Sequence, residues 1–181
     1  ESFEPGGAEA VVHALEQQEA AARQRRDEVN QQLTALRKGV AHQLEEDLLA
    51  YLRPMGLDNV RFQVAVDPAD PSESGADAIR FLFSANPGQP LAPLGEVASG
   101  GEMSRFLLAL KTCLADVDGS STLLFDEIDS GVSGRVSGAM ADLLRRLSRH
   151  RQVFCVTHQP LVAAAADHHF RVSKAVDAGV T

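Results

Sequence analysis

The segment from Ala8 to Leu52 constrains the fold most, because it contains no proline and only one glycine, Gly39. Alanine, glutamate, glutamine, leucine and arginine dominate it, and these residues favour an α-helix. About 45 helical residues span roughly 65 Å, whereas a compact domain built from the remaining residues is about 35–40 Å across. We therefore expect a long helix that projects from a smaller domain.

The spacing of apolar residues in this segment indicates a coiled coil. They recur at alternating steps of three and four, the heptad pattern, although Glu19 and Arg26 place charges on the seam. Beyond Val40 the spacing shifts to Leu44 and Leu48, which suits a coiled coil that passes into a globular packing surface. Such a seam needs a partner helix, from another segment or another chain; the alternative is a solvated helix lying along its own domain. The seam consists of Val12, Leu15, Glu19, Ala22, Arg26, Val29, Leu33, Leu36 and Val40.

The middle of the chain predicts a helix end followed by two strands. Arg53-Pro54-Met55-Gly56 ends the helix, since proline bars its continuation and glycine favours a turn. The alternating pattern predicts strands at 61–66 and 79–83, with a loop over 67–77 between them. An irregular loop over 86–93, with three prolines, leads to the next helix.

The last third alternates strands and helices. The helix after Gly101 has apolar residues at Met103, Phe106, Leu107, Leu110 and Leu114. Buried strands are predicted at 123–125 and 153–156, helices at 136–147 and 161–166, and an edge strand at 170–172. This order predicts an α/β fold with a parallel or mixed sheet covered on both faces.

Composition narrows the function classes. The net charge of −8 argues against nucleic acid bound over the whole surface of this segment, and the arginine clusters at 23–26 and 145–151 are typical of solvated helix surfaces and turns. The sequence contains no run of about 18 or more apolar residues, so no membrane span is indicated. Cys113 and Cys155 lie in apolar segments and are interpreted as reduced core thiols rather than a disulfide or metal site.

Two short runs carry the chemistry. Ser99-Gly100-Gly101-Glu102 can form a capping box at a helix start, and the same bare, positive helix end can bind a phosphate. Leu123–Phe125 leads into Asp126 and Glu127 at the carboxyl end of a strand, where one carboxylate can hold Mg²⁺ through water and the next can polarise an attacking water. The structural alternative for this pair is a turn that caps a strand.

Histidines add one candidate. His158 follows the second buried strand, so the sheet is expected to bring it to the edge that holds Asp126 and Glu127, where an imidazole can contact a phosphate. His168 and His169 lack further ligands at suitable spacing and are interpreted as structural.

Taken together, three runs resemble the RecN family of bacterial double-strand-break repair ATPases, which is related to the SMC proteins of the ABC class. The resemblance extends from about Val60 to Lys174, and the loop over 83–88 resembles this family in particular. The runs are Val97 to Arg105, Leu124 to Gly134 and Val156 to Pro160.

The resemblance implies the C-terminal lobe of an ABC-type, P-loop NTPase head over 53–181, preceded by a coiled-coil arm helix over 1–52. Ser99, Gly100, Gly101 and Glu102 would form the signature motif, which contacts the γ-phosphate of ATP held by a second head. Asp126 would serve Mg²⁺, Glu127 would be the general base, and His158 the switch histidine. Ser130 and Gly131 would lie in the D-loop, where Ser133 stands in place of the usual aspartate.

No Gly-x-x-x-x-Gly-Lys-Ser/Thr run occurs in the sequence. The resemblance therefore implies partners: an N-terminal head lobe with that phosphate loop, a second head in a homodimer, an antiparallel arm helix, and DNA bound by the full-length protein, with no membrane. It also implies a cytoplasmic, nucleoid-associated protein, and a fragment that does not hydrolyse ATP alone. Two alternatives stay open, another SMC-like chromosome-organising ATPase and a non-catalytic coiled-coil scaffold.

Overall fold

The structure is a computed structural model that describes residues 5–97, 100–115, 117, 119, 121–126, 128–132 and 134–173. Ser99, Glu127 and Ser133 lie outside the described residues, so their predicted roles stay predictions. The chain divides into two compact units. The first comprises residues 1–43 and 63–81, and the second comprises residues 44–62 and 82–181.

Helix α1 runs from Pro5 to Leu52 without interruption, as the sequence predicts. A 3₁₀ turn at Arg53–Met55 ends it, and Gly56 follows with a left-handed φ of 79°. Seam residues of α1 face solvent: Leu15 is 58% exposed and Leu36 69%. Leu48 and Leu52 are completely buried, which confirms that the helix passes into a packing surface after the shift in spacing.

In the first unit, α1 packs on the hairpin of β1 (Arg61–Ser72) and β2 (Gly75–Ser84). Asp77 accepts hydrogen bonds from the Thr34 hydroxyl at 2.7 Å and from Nη1 of Arg37 at 2.9 Å. The prediction of a loop over 67–77 is wrong, because both strands extend through these residues to a turn at Glu73 and Ser74.

The predicted loop over 86–93 is also partly wrong, because Ala92–Pro93 forms a short strand, β3, which pairs antiparallel with β2. The sheet order is β1-β2-β3. A short helix α2 (Leu94–Val97) follows β3, and α3 runs from Gly100 to Cys113.

The core of the second unit is aromatic and aliphatic. Phe106 on α3 lies with its ring centroid 5.3 Å from that of Phe62 and 5.8 Å from that of Phe83. Leu107 is 43% exposed, so it does not belong to the buried face as predicted. The buried face of α3 consists of Arg105, Phe106, Leu108, Ala109 and Thr112.

Strands β4 (Thr122–Asp126) and β5 (Gln152–Val156) pair in parallel, and Asp126 lies opposite Val156. Helix α4 (Arg135–Ser148) packs against α3, β5 and α5 (Pro160–Ala164). The prediction of a sheet covered on both faces is wrong for the described residues, because Leu124 is 70% exposed and Phe154 46%.

The edge strand predicted at 170–172 is also wrong. These residues form no strand, and Phe170 and Val172 are 83% and 96% exposed. Alternation alone cannot make a strand that has no neighbour to pair with. Within the described part of the chain, no helix is long and apolar enough to cross a membrane.

Candidate functional site

The carboxyl ends of β4 and β5 bring two predicted site residues to one edge. Asp126 is the last residue of β4, and His158 follows the end of β5 by two positions. Because the strands are parallel and in register from Thr122 to Asp126, these ends lie side by side. The sequence-based placement of Asp126 and His158 at one sheet edge is confirmed. The placement of Glu127 at the same edge stays a prediction, because this residue lies outside the described part of the chain.

The start of α3 lies against the turn that follows β4. A Cβ atom added at Gly101 would lie 3.4 Å from the carbonyl oxygen of Ser130 and 3.4 Å from Nη1 of Arg105. These distances lie at the short limit of ordinary van der Waals contact, so the backbone at Gly101 lies close to the carbonyl of Ser130. A Cβ at Gly100 would meet nothing within 4 Å. The structure therefore brings Gly101 of the predicted signature next to Ser130 of the predicted D-loop.

The turn at residues 128–132 has its own backbone requirement. Gly131 has a φ of 71°, in the left-handed region that favours glycine, and the amide of Val132 donates to the carbonyl of Asp129 at 3.3 Å. Open space surrounds Gly131 where a Cβ would stand. Its role is therefore conformational.

Asp129 is the organising carboxylate of this edge, and the sequence did not single it out. It is 1% exposed. Its Oδ2 accepts hydrogen bonds from the Thr157 hydroxyl and from the backbone amides of His158 at 3.0 Å and Gln159 at 3.2 Å. Burial alone would raise the pKa of the Asp129 carboxyl, but these three hydrogen bonds and the neighbouring imidazole together hold that pKa below its usual value. Asp129 thus ties the turn after β4 to the segment after β5.

The imidazole of His158 is largely exposed, with a side-chain exposure of 68%. Its Nδ1 lies 3.3 Å from Oδ1 of Asp129, and its Nε2 lies 3.3 Å from Nε2 of Gln159. Gln159 also donates from Nε2 to the carbonyl of Val132 at 2.7 Å. A residue that sequence reasoning overlooked therefore contacts both the candidate histidine and the turn at residues 128–132.

Arg105 is the third residue that the sequence analysis missed. It is 8% exposed, and among the described residues its Nε and Nη1 have no hydrogen-bond partner. Burial lowers its pKa, and the charge of Glu102 acts in the opposite direction. One signal could have found it, since Arg105 has the helical spacing of the buried residues Leu108, Ala109 and Thr112. A cation on the core face of a helix is unusual enough to indicate a role.

The described residues offer few metal ligands. No group of three or more histidine, cysteine, aspartate or glutamate side chains among them could hold a metal ion. The predicted contact of Asp126 to Mg²⁺ through water stays a prediction; in such a site phosphates and waters supply most ligands. Both cysteines are free, and burial raises the pKa of Cys113 and of Cys155 to about 11, so their thiols are protonated at neutral pH. This agrees with their interpretation as core thiols.

Comparison with known proteins adds family matches. A protein-family model described as "AAA domain, putative AbiEii toxin, Type IV TA system" matches residues 18–164. A "DNA repair protein RecN" from Synechocystis sp. is 51% identical over 146 residues, which are 80% of this chain and 25% of that protein. The RecN of Deinococcus radiodurans is 43% identical over 155 residues, which are 84% of this chain and 27% of that protein. The RecN of Rickettsia conorii is 40% identical over 165 residues, which are 91% of this chain and 30% of that protein.

Solved structures share the fold. An Smc head domain with a coiled coil and joint from Pyrococcus yayanosii has a TM-score of 0.62 and 18% identity, over 88% of this chain and 30% of that one. An Smc head domain with an extended coiled coil, bound to the C-terminal domain of ScpA, from Pyrococcus furiosus has a TM-score of 0.61 and 17% identity, over 88% of this chain and 39% of that one. These likenesses confirm the predicted α/β fold of an SMC-type head. The chain spans 25–30% of the length of the three RecN relatives.

Proposed function

We propose that this chain forms the C-terminal lobe and part of the coiled-coil arm of an ATP-hydrolysing head. The chain belongs to the AAA-domain family and is a RecN-type, SMC-like fragment. One arrangement carries the proposal: Gly101 at the start of α3 lies against Ser130, in the turn that leads away from Asp126 and towards His158. Backbone amides at a helix start favour an anionic phosphate, and the strand ends supply the carboxylate and imidazole.

In this function, Ser99, Gly100 and Gly101 bind the γ-phosphate of ATP that a second head holds, and Glu102 completes the signature. Asp126 holds Mg²⁺ through a water molecule, and Mg²⁺ when bound neutralises charge on the phosphates. Ser130 and Gly131 position the turn beside the phosphate, and the residue at 133 departs from the usual aspartate of that loop.

Two groups act on the attacking water and the phosphate. Glu127 polarises the water as general base, as the family resemblance implies. His158 contacts the γ-phosphate from the end of β5, and its exposed imidazole supports access to a ligand.

An N-terminal head lobe with the phosphate loop is the first proposed partner. The open face of the β4–β5 sheet supports it, because Leu124 and Val156 are 70% and 58% exposed there. Apolar side chains at such exposure on a sheet face favour a covering partner. We therefore place the missing lobe on this face, where it would continue the sheet core.

Exposed apolar residues on α1 support a further proposed partner, an antiparallel arm segment. Val12, Leu15, Val29, Leu36 and Val40 on α1 are each more than half exposed, as expected for a helix that pairs with an antiparallel arm segment. Two such heads would then close on ATP as a homodimer and open after hydrolysis. The relatives are named DNA repair proteins, so we place the activity in DNA repair, with DNA contacts elsewhere in the full-length protein because this segment carries a charge of −8.

The test is ATP turnover by the full-length protein, wild type against Glu127→Gln, with light scattering to follow dimerisation. We expect Glu127→Gln to abolish hydrolysis and to accumulate an ATP-bound dimer. If neither protein hydrolyses ATP or dimerises with it, the motifs are structural and the coiled-coil scaffold becomes the better function. The 181-residue chain alone, which lacks a phosphate loop, should show no turnover; turnover that Glu127→Gln removes would contradict this.

A further inference from the structure

The two ring nitrogens of His158 have different neighbours. Nδ1 lies 3.3 Å from Oδ1 of Asp129, and that oxygen accepts no hydrogen bond from any described residue. The position of the ring hydrogen therefore has to follow from the contact of the other nitrogen, Nε2.

The other ring nitrogen is held by an amide. Gln159 donates from Nε2 to the carbonyl of Val132 at 2.7 Å, and its Oε1 accepts from the Ser137 hydroxyl at 3.4 Å. These two contacts fix which end of the carboxamide is nitrogen, because a carbonyl cannot donate. The second hydrogen of Nε2 then points at Nε2 of His158, 3.3 Å away. That ring nitrogen must act as acceptor and is unprotonated.

This arrangement is incompatible with phosphate binding by His158. A phosphate oxygen only accepts hydrogen bonds, whereas Nε2 of His158 has no hydrogen to donate and its lone pair is already engaged. Contact with the γ-phosphate therefore needs two changes: the Gln159 amide must leave Nε2, and Nε2 must carry a hydrogen that it can donate.

We propose that Gln159 is a positioning residue that engages Nε2 of His158, and that ATP binding transfers this Nε2 from the Gln159 amide to an anionic phosphate oxygen. This rests on the proposed function. The amide also joins His158 to the turn at residues 128–132 through Val132. A displacement of that turn, which lies beside Gly101, would therefore loosen the Gln159 contact and free the histidine.

The test measures MgATP binding by calorimetry on full-length protein that carries Glu127→Gln, so that hydrolysis does not interfere. Gln159→Ala removes the competing amide, and one neutral hydrogen bond is worth about 1 kcal/mol, so the Kd for ATP should fall about fivefold. Gln159→Glu places a carboxylate against Nε2 and beside the incoming phosphate, so it should weaken ATP binding. The Kd for ADP, which lacks the γ-phosphate, should not change in Gln159→Ala.

Controls separate this inference from the proposed function. Gln152→Ala removes an exposed glutamine of β5 that contacts Thr122 and should leave the Kd unchanged. In a His158→Ala background, Gln159→Ala should have no effect, because the histidine it restrains is gone. If His158→Ala does not weaken ATP binding, the proposed role of His158 fails. If His158→Ala weakens it but Gln159→Ala leaves it unchanged or weakens it too, only the role of Gln159 fails.

Discussion

Replacing Asp129 with asparagine tests the central carboxylate of the site. Oδ2 accepts three hydrogen bonds, from the Thr157 hydroxyl and two backbone amides. A hydrogen bond to a charged group is worth about 1.5–3 kcal/mol and one to a neutral group about 0.5–1.5 kcal/mol. Removing the charge therefore weakens the three hydrogen bonds by about 3 kcal/mol in total. Part of this loss is offset, because the variant no longer buries a charged group. We expect Asp129→Asn to destabilise the protein by about 2 kcal/mol.

The measurement is urea and thermal unfolding of the chain at pH 7, followed by circular dichroism. For a chain of this size, about 2 kcal/mol lowers Tm by about 4–8 °C. Asp167→Asn, which changes an exposed carboxylate on the same unit, should shift Tm by less than about 1 °C. A Tm for Asp129→Asn equal to or above that of the wild type would refute the reasoning, because the carboxylate would then contribute nothing net.

The stabilisation that the Asp129 carboxylate contributes changes with pH in a definite direction. The folded pKa of Asp129 lies below its usual value, so the unfolded chain takes up the proton first as pH falls. The stabilisation is complete above the unfolded pKa of about 3.9 and is lost as pH falls through the folded pKa. The difference in stability between wild type and Asp129→Asn should therefore be constant from pH 5 to 7 and shrink below about pH 4. A difference that grows on acidification would contradict the assigned direction.

Three further predictions follow from local geometry. Gly75→Ala should destabilise more than Gly88→Ala, by urea unfolding, because both glycines have positive φ (110° and 88°) but only at Gly75 would a Cβ lie 2.8 Å from a leucine methyl of α1. Arg105→Met should stabilise the protein by about 1 kcal/mol and raise Tm, while Arg105→Lys should not, because two nitrogens of the buried guanidinium have no hydrogen-bond partner within the described part of the chain. A lower Tm for Arg105→Met would show that the charge is compensated. Cys113 and Cys155, each with a pKa of about 11, should react with iodoacetamide at pH 8 much more slowly in folded than in urea-unfolded protein, and equal rates would contradict their burial.

The long helix and the strand ends could be predicted because the signals behind them are local. Helix propensity sums over many residues, so the proline-free segment from Ala8 to Leu52 correctly predicts the helix, which in the structure begins at Pro5. The continuous apolar runs of β4 and β5 mark them as strands, and their parallel pairing then fixes where their ends meet. The placement of Asp126 and His158 at one edge follows from topology alone.

The outer part of the hairpin could not be predicted, because the end of β1 is exposed. The last five residues of β1, Pro68–Ser72, are exposed, so neither alternation nor apolar composition marks them. Polar contacts hold this part instead: Arg80 pairs with Asp67 at 2.8 Å, and Arg37 pairs with Asp77 at 2.9 Å. Aspartate and proline there were interpreted as loop residues, although both are compatible with a solvent-exposed strand.

The roles of Asp129 and Gln159 could not be predicted either, for a different reason. Each depends on a contact between the segment after β4 and the segment after β5, about 30 residues apart in sequence. The register of β4 against β5 creates that contact, since a shift by one residue would move the Thr157 hydroxyl and the following amides away from the carboxylate. A deletion within β5 should therefore abolish the Asp129 hydrogen bonds even though every residue of the site remains in the sequence.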